Sequence, residues 1–381
     1  MTRLRLPLLL AGGAVLLILG LLATGLFRRD VEPEIDAVLA RQIGQMLMVG
    51  FQGTAQDQSG PSRLARQIAD GTVGGVLVLG RNVESLEAVE AMNRAFLAAS
   101  PSSPPLIAID QEGGRIQRLR ATIGFPETPS AAMLGRYADP ETARDLYAPM
   151  AEALAGLGFN VNFGPVVDLD LEPGNPIISR LQRAYSDDPD TVTDFARAFV
   201  ETHRVAGLLT APKHFPGHGT TLLDSHETLP DISETWDDIE LAPYRQLIAQ
   251  DLADMVMVGH LVLDRGDGDR LPATLSPGLV TGLLRGELGF EGVIVSDDLQ
   301  MGALMETMTV EAASVAAIRA GIDLLIVANY PRPDPGLPER LVRAIASEAI
   351  SDTALRERIE ESAARIGTLK RERLGTEVLA P

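Results

Sequence analysis

The chain has no cysteine among its 381 residues. Disulfides, thiol nucleophiles and cysteine-ligated zinc are therefore excluded, as is lipid attachment through a cysteine. Basic residues are few beside acidic ones: 33 Lys and Arg against 52 Asp and Glu give a formal net charge of -19. Nucleic acid needs a basic footprint on its protein partner, and docking on anionic lipid through a surface patch needs the same. Neither is expected here; such a charge commonly serves solubility. No dinucleotide fingerprint follows the first predicted strand, because Gly50 and Gly53 lack the required spacing. There is also no internal repeat and no low-complexity linker to separate two domains.

Long apolar runs are absent from the body of the chain but not from its start. Leu6 to Phe27 carries no charge and is flanked by Arg3, Arg5, Arg28 and Arg29. About 20 apolar residues suffice to span a bilayer as a helix, whereas a cleaved signal usually has a core of roughly 7–15. Ala23-Thr24-Gly25 is a mediocre cleavage site. A retained anchor over residues 1–30 is the expectation, with a cleaved and secreted form as the alternative. The body, residues 31–375, would then lie on the periplasmic side of an inner membrane.

That body alternates short Val/Ile/Leu-rich runs with amphipathic stretches. Strands are predicted at Met46–Phe51, Val73–Leu79, Leu106–Asp110, Asn160–Val167, Leu208–Lys213, Met255–His260, Val293–Asp297 and Leu324–Ala328. Helices are predicted at Ser85–Ala99, Pro140–Leu157, Pro189–Val205 and Val310–Ala320, with a closing surface helix over Asp352–Leu374. Strands apolar on both faces belong in a parallel sheet covered by helices. Eight β-then-α units point to a (β/α)8 TIM barrel forming a single catalytic domain. The Gly74-Gly75 pair inside the second run reads as close packing and not as a phosphate cradle.

The chemistry-bearing residues gather at the C-terminal ends of these strands, the rim where barrel enzymes work. Asp110, Lys213-His214, His260 and Asp297 each end a predicted strand. The densest stretch is Lys213-His214-Phe215-Pro216-Gly217-His218-Gly219, continuing to Asp224-Ser225-His226. Three of the five histidines fall here, and Pro and Gly break any helix through it. Asp224 and His226 are two apart, so an extended backbone places both on one face; a carboxylate beside an imidazole makes a tunable proton carrier. Taken alone, Ser296-Asp297-Asp298 reads as a helix N-cap, in which one Asp caps and the other enters the barrel mouth. Asp110-Gln111-Glu112-Gly113-Gly114-Arg115, with Arg118, reads equally as a tight turn or as a sugar-hydroxyl site. His214, His218, Asp224 and His226 could instead converge on a metal that activates water. His203 reads as a helix-surface histidine and His260 as a satisfied core histidine.

Together these segments resemble the β-N-acetylhexosaminidases of glycoside hydrolase family 3. The resemblance rests on Ala108–Arg115, on Asn175-Pro176 with Arg183-Ala184-Tyr185-Ser186, on Lys213–Gly219 with Asp224–His226, and on Val295–Leu299, in that order over about residues 40 to 345. It implies the single-domain branch of the family: an exo-acting, retaining β-N-acetylglucosaminidase with Asp297 as nucleophile, His226 as acid/base and Asp224 as its partner. Asp110, Arg118, Arg183, Lys213 and His214 would hold the terminal sugar, with Arg180 as the alternative to Arg183. It implies no metal and no organic cofactor, and a carbohydrate substrate with a terminal β-GlcNAc; a monomer is the expectation. A metal-dependent barrel hydrolase, a β-N-acetylglucosaminide phosphorylase and a non-catalytic sugar-binding barrel are the competing readings.

The uncharged N-terminal run generates a direct test. Cell fractionation should recover the full-length chain in the membrane, with its body open to protease from the periplasmic side. A soluble cytosolic form with an intact N-terminus would refute the anchor.

Overall fold

Eight short apolar runs become parallel strands: β1 (Leu47–Gly50), β2 (Gly75–Val78), β3 (Leu106–Ile109), β4 (Val161–Asn162), β5 (Leu209–Thr210), β6 (Met255–Val258), β7 (Val293–Asp298) and β8 (Leu324–Val327). The computed structural model describes residues 35–224, 228–266, 268 and 270–375. The apolar run Leu6–Phe27 and the candidate acid/base His226 lie outside them. Among the described residues no helix is long and apolar enough to cross a membrane.

The strands are hydrogen-bonded in the order β5-β4-β3-β2-β1-β8-β7-β6. Every residue of β1, β2, β3, β6 and β8 is buried, as strands covered on both faces require. The seam between β5 and β6 is joined by the chain just beyond β5. Met257 N–H donates to Pro212 O (3.0 Å), Phe215 N–H to Met257 O (2.9 Å) and Gly259 N–H to Phe215 O (2.9 Å). The result is a nearly closed (β/α)8 barrel, as its strand pattern predicts. β4 is shorter than expected because Phe163-Gly164-Pro165 follows Asn162, and Pro165 has no N–H to donate. Pairing resumes as a bridge between Val166 and Lys213. At Gly74 a β-carbon would lie 2.5 Å from Gln45 Cα, so that glycine does serve close packing.

The predicted helices occur at Leu86–Ala99, Pro140–Gly156, Pro189–Val205, Val310–Ala320 and Thr353–Leu374. Their starts follow from capping chemistry. Ser85, Asp139, Asp188, Thr309 and Asp352 each accept a hydrogen bond from a first-turn amide. Each such cap contributes on the order of 1 kcal/mol.

The last helix is pinned under the barrel by buried charge. Asp323, fully buried just before β8, binds Arg285 and Arg358, accepts from Ser362 Oγ (2.8 Å) and from Ile294 N–H (2.9 Å), and lies 3.4 Å from Arg365. Lys370, also buried, donates to Gln45 Oε1 (2.9 Å) and Gly74 O (3.3 Å); burial lowers its pKa to about 7. Removing Asp323 would leave the guanidiniums of Arg285 and Arg358 without their shared carboxylate. Asp323→Ala should therefore cost about 3–5 kcal/mol in urea unfolding. A loss below ~1 kcal/mol would show that the cluster does not hold the helix.

Candidate active site

Because all eight strands are parallel, their C-terminal ends share one rim. The backbone that closes the barrel also delivers the first charged side chain to that rim. Lys213, only 2% exposed, places its Nζ 2.8 Å from Asp110 Oδ1 and 2.7 Å from Glu112 Oε1. Asp110 and Glu112 follow β3 two residues apart and meet the same ammonium. Gln111, between them, turns away and is fixed from below. Its N–H donates to Asn162 Oδ1 (3.0 Å), its C=O accepts from Asn162 Nδ2 (2.9 Å), and its Oε1 accepts from Arg118 N–H (2.9 Å). One buried glutamine thus sets both the two carboxylates and the loop that brings Arg118 back to Asp110 Oδ2 at 3.2 Å. The Nε of Arg118 is buried without a hydrogen-bond partner in the protein.

Arg183 extends the cluster. It grips Glu112 through Nε and Nη2, both at 2.8 Å, donates to Ile177 O (3.0 Å), and brings Nη2 within 3.3 Å of His214 Nε2. Arg180, the alternative at this position, is exposed. His214 is held from behind by Asp168: Nδ1 lies 2.7 Å from Oδ2, and the backbone N–H donates to Oδ1 (3.1 Å). A carboxylate can only accept and a guanidinium can only donate, so His214 carries its proton on Nδ1 and presents Nε2 as an acceptor.

These contacts set the charges. Burial opposes ionisation of Asp110, but Lys213 and Arg118 outweigh it and hold the carboxyl far below its usual range. Burial likewise opposes Glu112, yet Arg183 and Lys213 bring it down to about 2. Burial disfavours charge on Asp168 too, and His214 still lowers it. His218 goes the other way: burial depresses it to about 4, against the pull of Asp168. Glu240, 1% exposed, is lifted by burial to about 8, although Gly219 N–H donates to its Oε2 at 2.8 Å. It packs under the turn at Gly217, where φ is +121° and a β-carbon would lie 2.5 Å from the carboxylate.

The end of β7 carries the candidate nucleophile on an irregular backbone. Val295 pairs with Leu324 and Asp298 with Ile326, so three steps on β7 match two on β8. This is a β-bulge, a device that re-aims side chains beside active sites. Asp298 does not cap a helix as the sequence suggests. Its Oδ1 accepts from Gln300 N–H (3.0 Å) and from Ala328 N–H at the end of β8 (2.9 Å), and the next helix starts only at Gly302. Burial raises its carboxyl to about 6. Asp298 N–H donates to Asp297 Oδ1 at 2.8 Å.

Asp224 stands half-buried on the loop after β5, and no helix crosses Ala211–Asp224. Among the described residues no group of three or more His, Cys, Asp or Glu is placed to hold a metal ion. His203 is not on the surface. It is fully buried, stacked on Phe199 with ring centroids 3.9 Å apart, bonded to Phe199 O (2.8 Å) and to Asn162 Nδ2 (3.0 Å), and lowered by burial to about 4. Its helix turns it inward toward β4. Sequence reasoning gave no role to Glu112, Asp168 or Glu240. Asp168 had a usable signal, an acid just past the fourth predicted strand; Glu240 had none.

The chain matches the N-terminal domain of glycosyl hydrolase family 3 over residues 38–369. It is 31% identical over 373 residues to beta-hexosaminidase A of Pseudoalteromonas piscicida, covering 88% of this chain and 62% of that protein. It is 36% identical over 319 residues to a beta-hexosaminidase of Alkalilimnicola ehrlichii, covering 78% of this chain and 87% of that protein. A family 3 β-N-acetylglucosaminidase structure from Paenibacillus sp. superposes with a TM-score of 0.81 at 33% identity, over 90% of this chain and 64% of that one. With nearly all of its described length matched, the chain belongs to glycosyl hydrolase family 3, as the four motifs suggest.

Proposed function

We propose that the chain is a retaining exo-β-N-acetylglucosaminidase that removes terminal GlcNAc from cell-wall fragments or chito-oligosaccharides. The observation that carries this reading is the convergence on one rim of a buried, fixed-charge cluster and a bulged strand end bearing Asp297. Similar proteins named beta-hexosaminidase support the sugar. The N-terminal apolar run supports a periplasmic, membrane-tethered site of action, where such fragments occur.

The cluster suits a terminal sugar. Asp110 stays ionised and can accept from hydroxyls, while the unmatched Nε of Arg118 can donate to one. Lys213, Arg183 and His214 hold their positions through partners already in place, so binding requires little rearrangement. Cleavage passes through an oxocarbenium-like state. The Asp297 carboxylate attacks the anomeric carbon as His226 gives a proton to the leaving oxygen. Water then attacks the glycosyl ester, His226 takes its proton, and Asp297 departs as carboxylate. Asp224, two residues before His226, favours the imidazolium needed for the first step. Two inversions return the β configuration.

A 5-fluoro β-N-acetylglucosaminyl fluoride should trap the intermediate on Asp297, read by peptide mass spectrometry, and NMR should show the β anomer first. Labelling of Asp298, or an α product, would overturn the nucleophile or the double displacement respectively. His226→Ala should slow natural substrates by about 10²–10⁴-fold. Substrates with good leaving groups should suffer less in glycosylation, since they need little protonation; a uniform loss would remove His226 from the role. Asp224→Asn should lower the rate in the same direction.

Hydrolysis should survive exhaustive chelation. Loss with EDTA and recovery with zinc or manganese would favour the metal-dependent reading instead. In phosphate buffer the product should remain GlcNAc; a sugar 1-phosphate would mark a phosphorylase.

A further inference from the structure

The last regular pair between β6 and β7 is Val258 with Ser296. Two residues further along each strand, a side chain replaces the backbone in the ladder. His260, fully buried, places Nε2 2.9 Å from Asp298 O, and its Nδ1 lies 2.7 Å from Thr274 Oγ1. A carbonyl can only accept, so Nε2 carries a proton. In the neutral ring Nδ1 is then an acceptor for the Thr274 hydroxyl, which is also fully buried.

This contact holds the residue whose N–H meets Asp297: the carbonyl and the N–H of Asp298 belong to the two peptides that flank its Cα. The bulge takes Ser296 and Asp297 out of regular register with β8, so the strand end needs other restraints. The Asp298 residue receives them at three points. Its carboxylate takes the amides of Gln300 and Ala328, its carbonyl takes His260, and its N–H holds Asp297 Oδ1. Rotation of that residue would swing the N–H away from the Asp297 carboxylate. Of the three restraints, only His260 comes from the chain just past β6, the strand on the other side of the bulge.

We propose that His260 is a positioning residue for glycosyl transfer: through the Asp298 backbone it keeps the Asp297 carboxylate aimed at the anomeric carbon, and Thr274 keeps His260 in the donating tautomer. This rests on Asp297 being the nucleophile. The effect belongs to the chemical step, because the hydrogen bonds of His260 go to Thr274 and Asp298, and the Asp110–Lys213–Glu112–Arg183 cluster that would hold the sugar has its own partners. Misplacing a reacting group by about 1 Å costs about 100-fold in rate.

The test compares wild type with His260→Phe, His260→Gln and Thr274→Val in the full chain. The readouts are the rate of labelling by the 5-fluoro trap, the inhibition constant of free GlcNAc, and Tm. His260→Phe should slow labelling by about 100-fold while the GlcNAc constant moves less than about threefold. His260→Gln, whose amide offers one donor and one acceptor, should recover at least tenfold of that, on the order expected when a transition-state contact is restored. Thr274→Val keeps the imidazole in place and should slow labelling without weakening GlcNAc, which covers the case in which the Phe variant fails to fold. Labelling at the wild-type rate in folded Phe and Val variants would overturn the proposal. So would a fall in labelling matched by an equal fall in GlcNAc affinity. Wild type labelled at a residue other than Asp297 would instead overturn the nucleophile assignment.

Discussion

Closure of the barrel through Pro212–Phe215 is the constraint on which the rest of the site depends. β5 is only two residues long, and the seam to β6 is carried by the irregular segment beyond it. That segment serves two ends at once. Its backbone completes the sheet, and its side chains, Lys213 and His214, are thereby delivered to the rim in a fixed register. A shift of the seam by one residue would break the hydrogen bonds to Met257 and Gly259 and also move Lys213 out of reach of Asp110 and Glu112.

Burying this much charge is costly. A lone ammonium or carboxylate at these depths would lose several kcal/mol of hydration. The cluster tolerates it because each charge meets opposite charge or a hydrogen-bond donor within about 3 Å, the condition under which buried ion pairs are retained. Lys213 answers two carboxylates, Glu112 answers Lys213 and Arg183, and Asp168 answers His214 plus the amides of His214 and His218. Such an arrangement has few alternative packings. It is a poor source of stability but a strong source of geometric definition, which is what recognition of a hydroxyl-rich ligand needs.

Much of this was legible in the sequence. Eight apolar runs with amphipathic stretches between them were enough for the barrel, because hydrophobic periodicity is a local property. Rim residues could be named because an acid or base ending a buried strand stands out against its neighbours. What escaped were matters of three-dimensional pairing. His203 read as a surface residue because its partners, Asn162 and Phe199, include one on a distant strand. Asp298 read as a cap because Ser-Asp-Asp before a helical stretch fits that pattern locally. Its true partner, the amide of Ala328, lies thirty residues away at the end of β8. Glu240 left no trace, since an acid in the run Asp237-Asp238-Ile239-Glu240 beside a helix start looks solvated until the turn at Gly217 is folded over it.

The two halves of the proposed chemistry stand on different kinds of backbone. The proposed nucleophile, Asp297, sits near the end of the longest strand, on a bulge held by Ala328 after β8 and by His260 after β6. The acid/base pair begins at Asp224 on a loop whose neighbours Leu222 and Leu223 are exposed. That difference follows from what each group must do. A carboxylate that attacks carbon gains most from one unvarying position, since misalignment directly lengthens the bond being made. A proton carrier must serve a leaving oxygen first and a water afterwards, at sites offset along the reaction path. A loop such as the one carrying Asp224, outside the sheet, suits that task and leaves the charged cluster undisturbed. A barrel with rigid strand ends and independent loops permits that separation, because changes in one loop leave the register of the other seven strands intact.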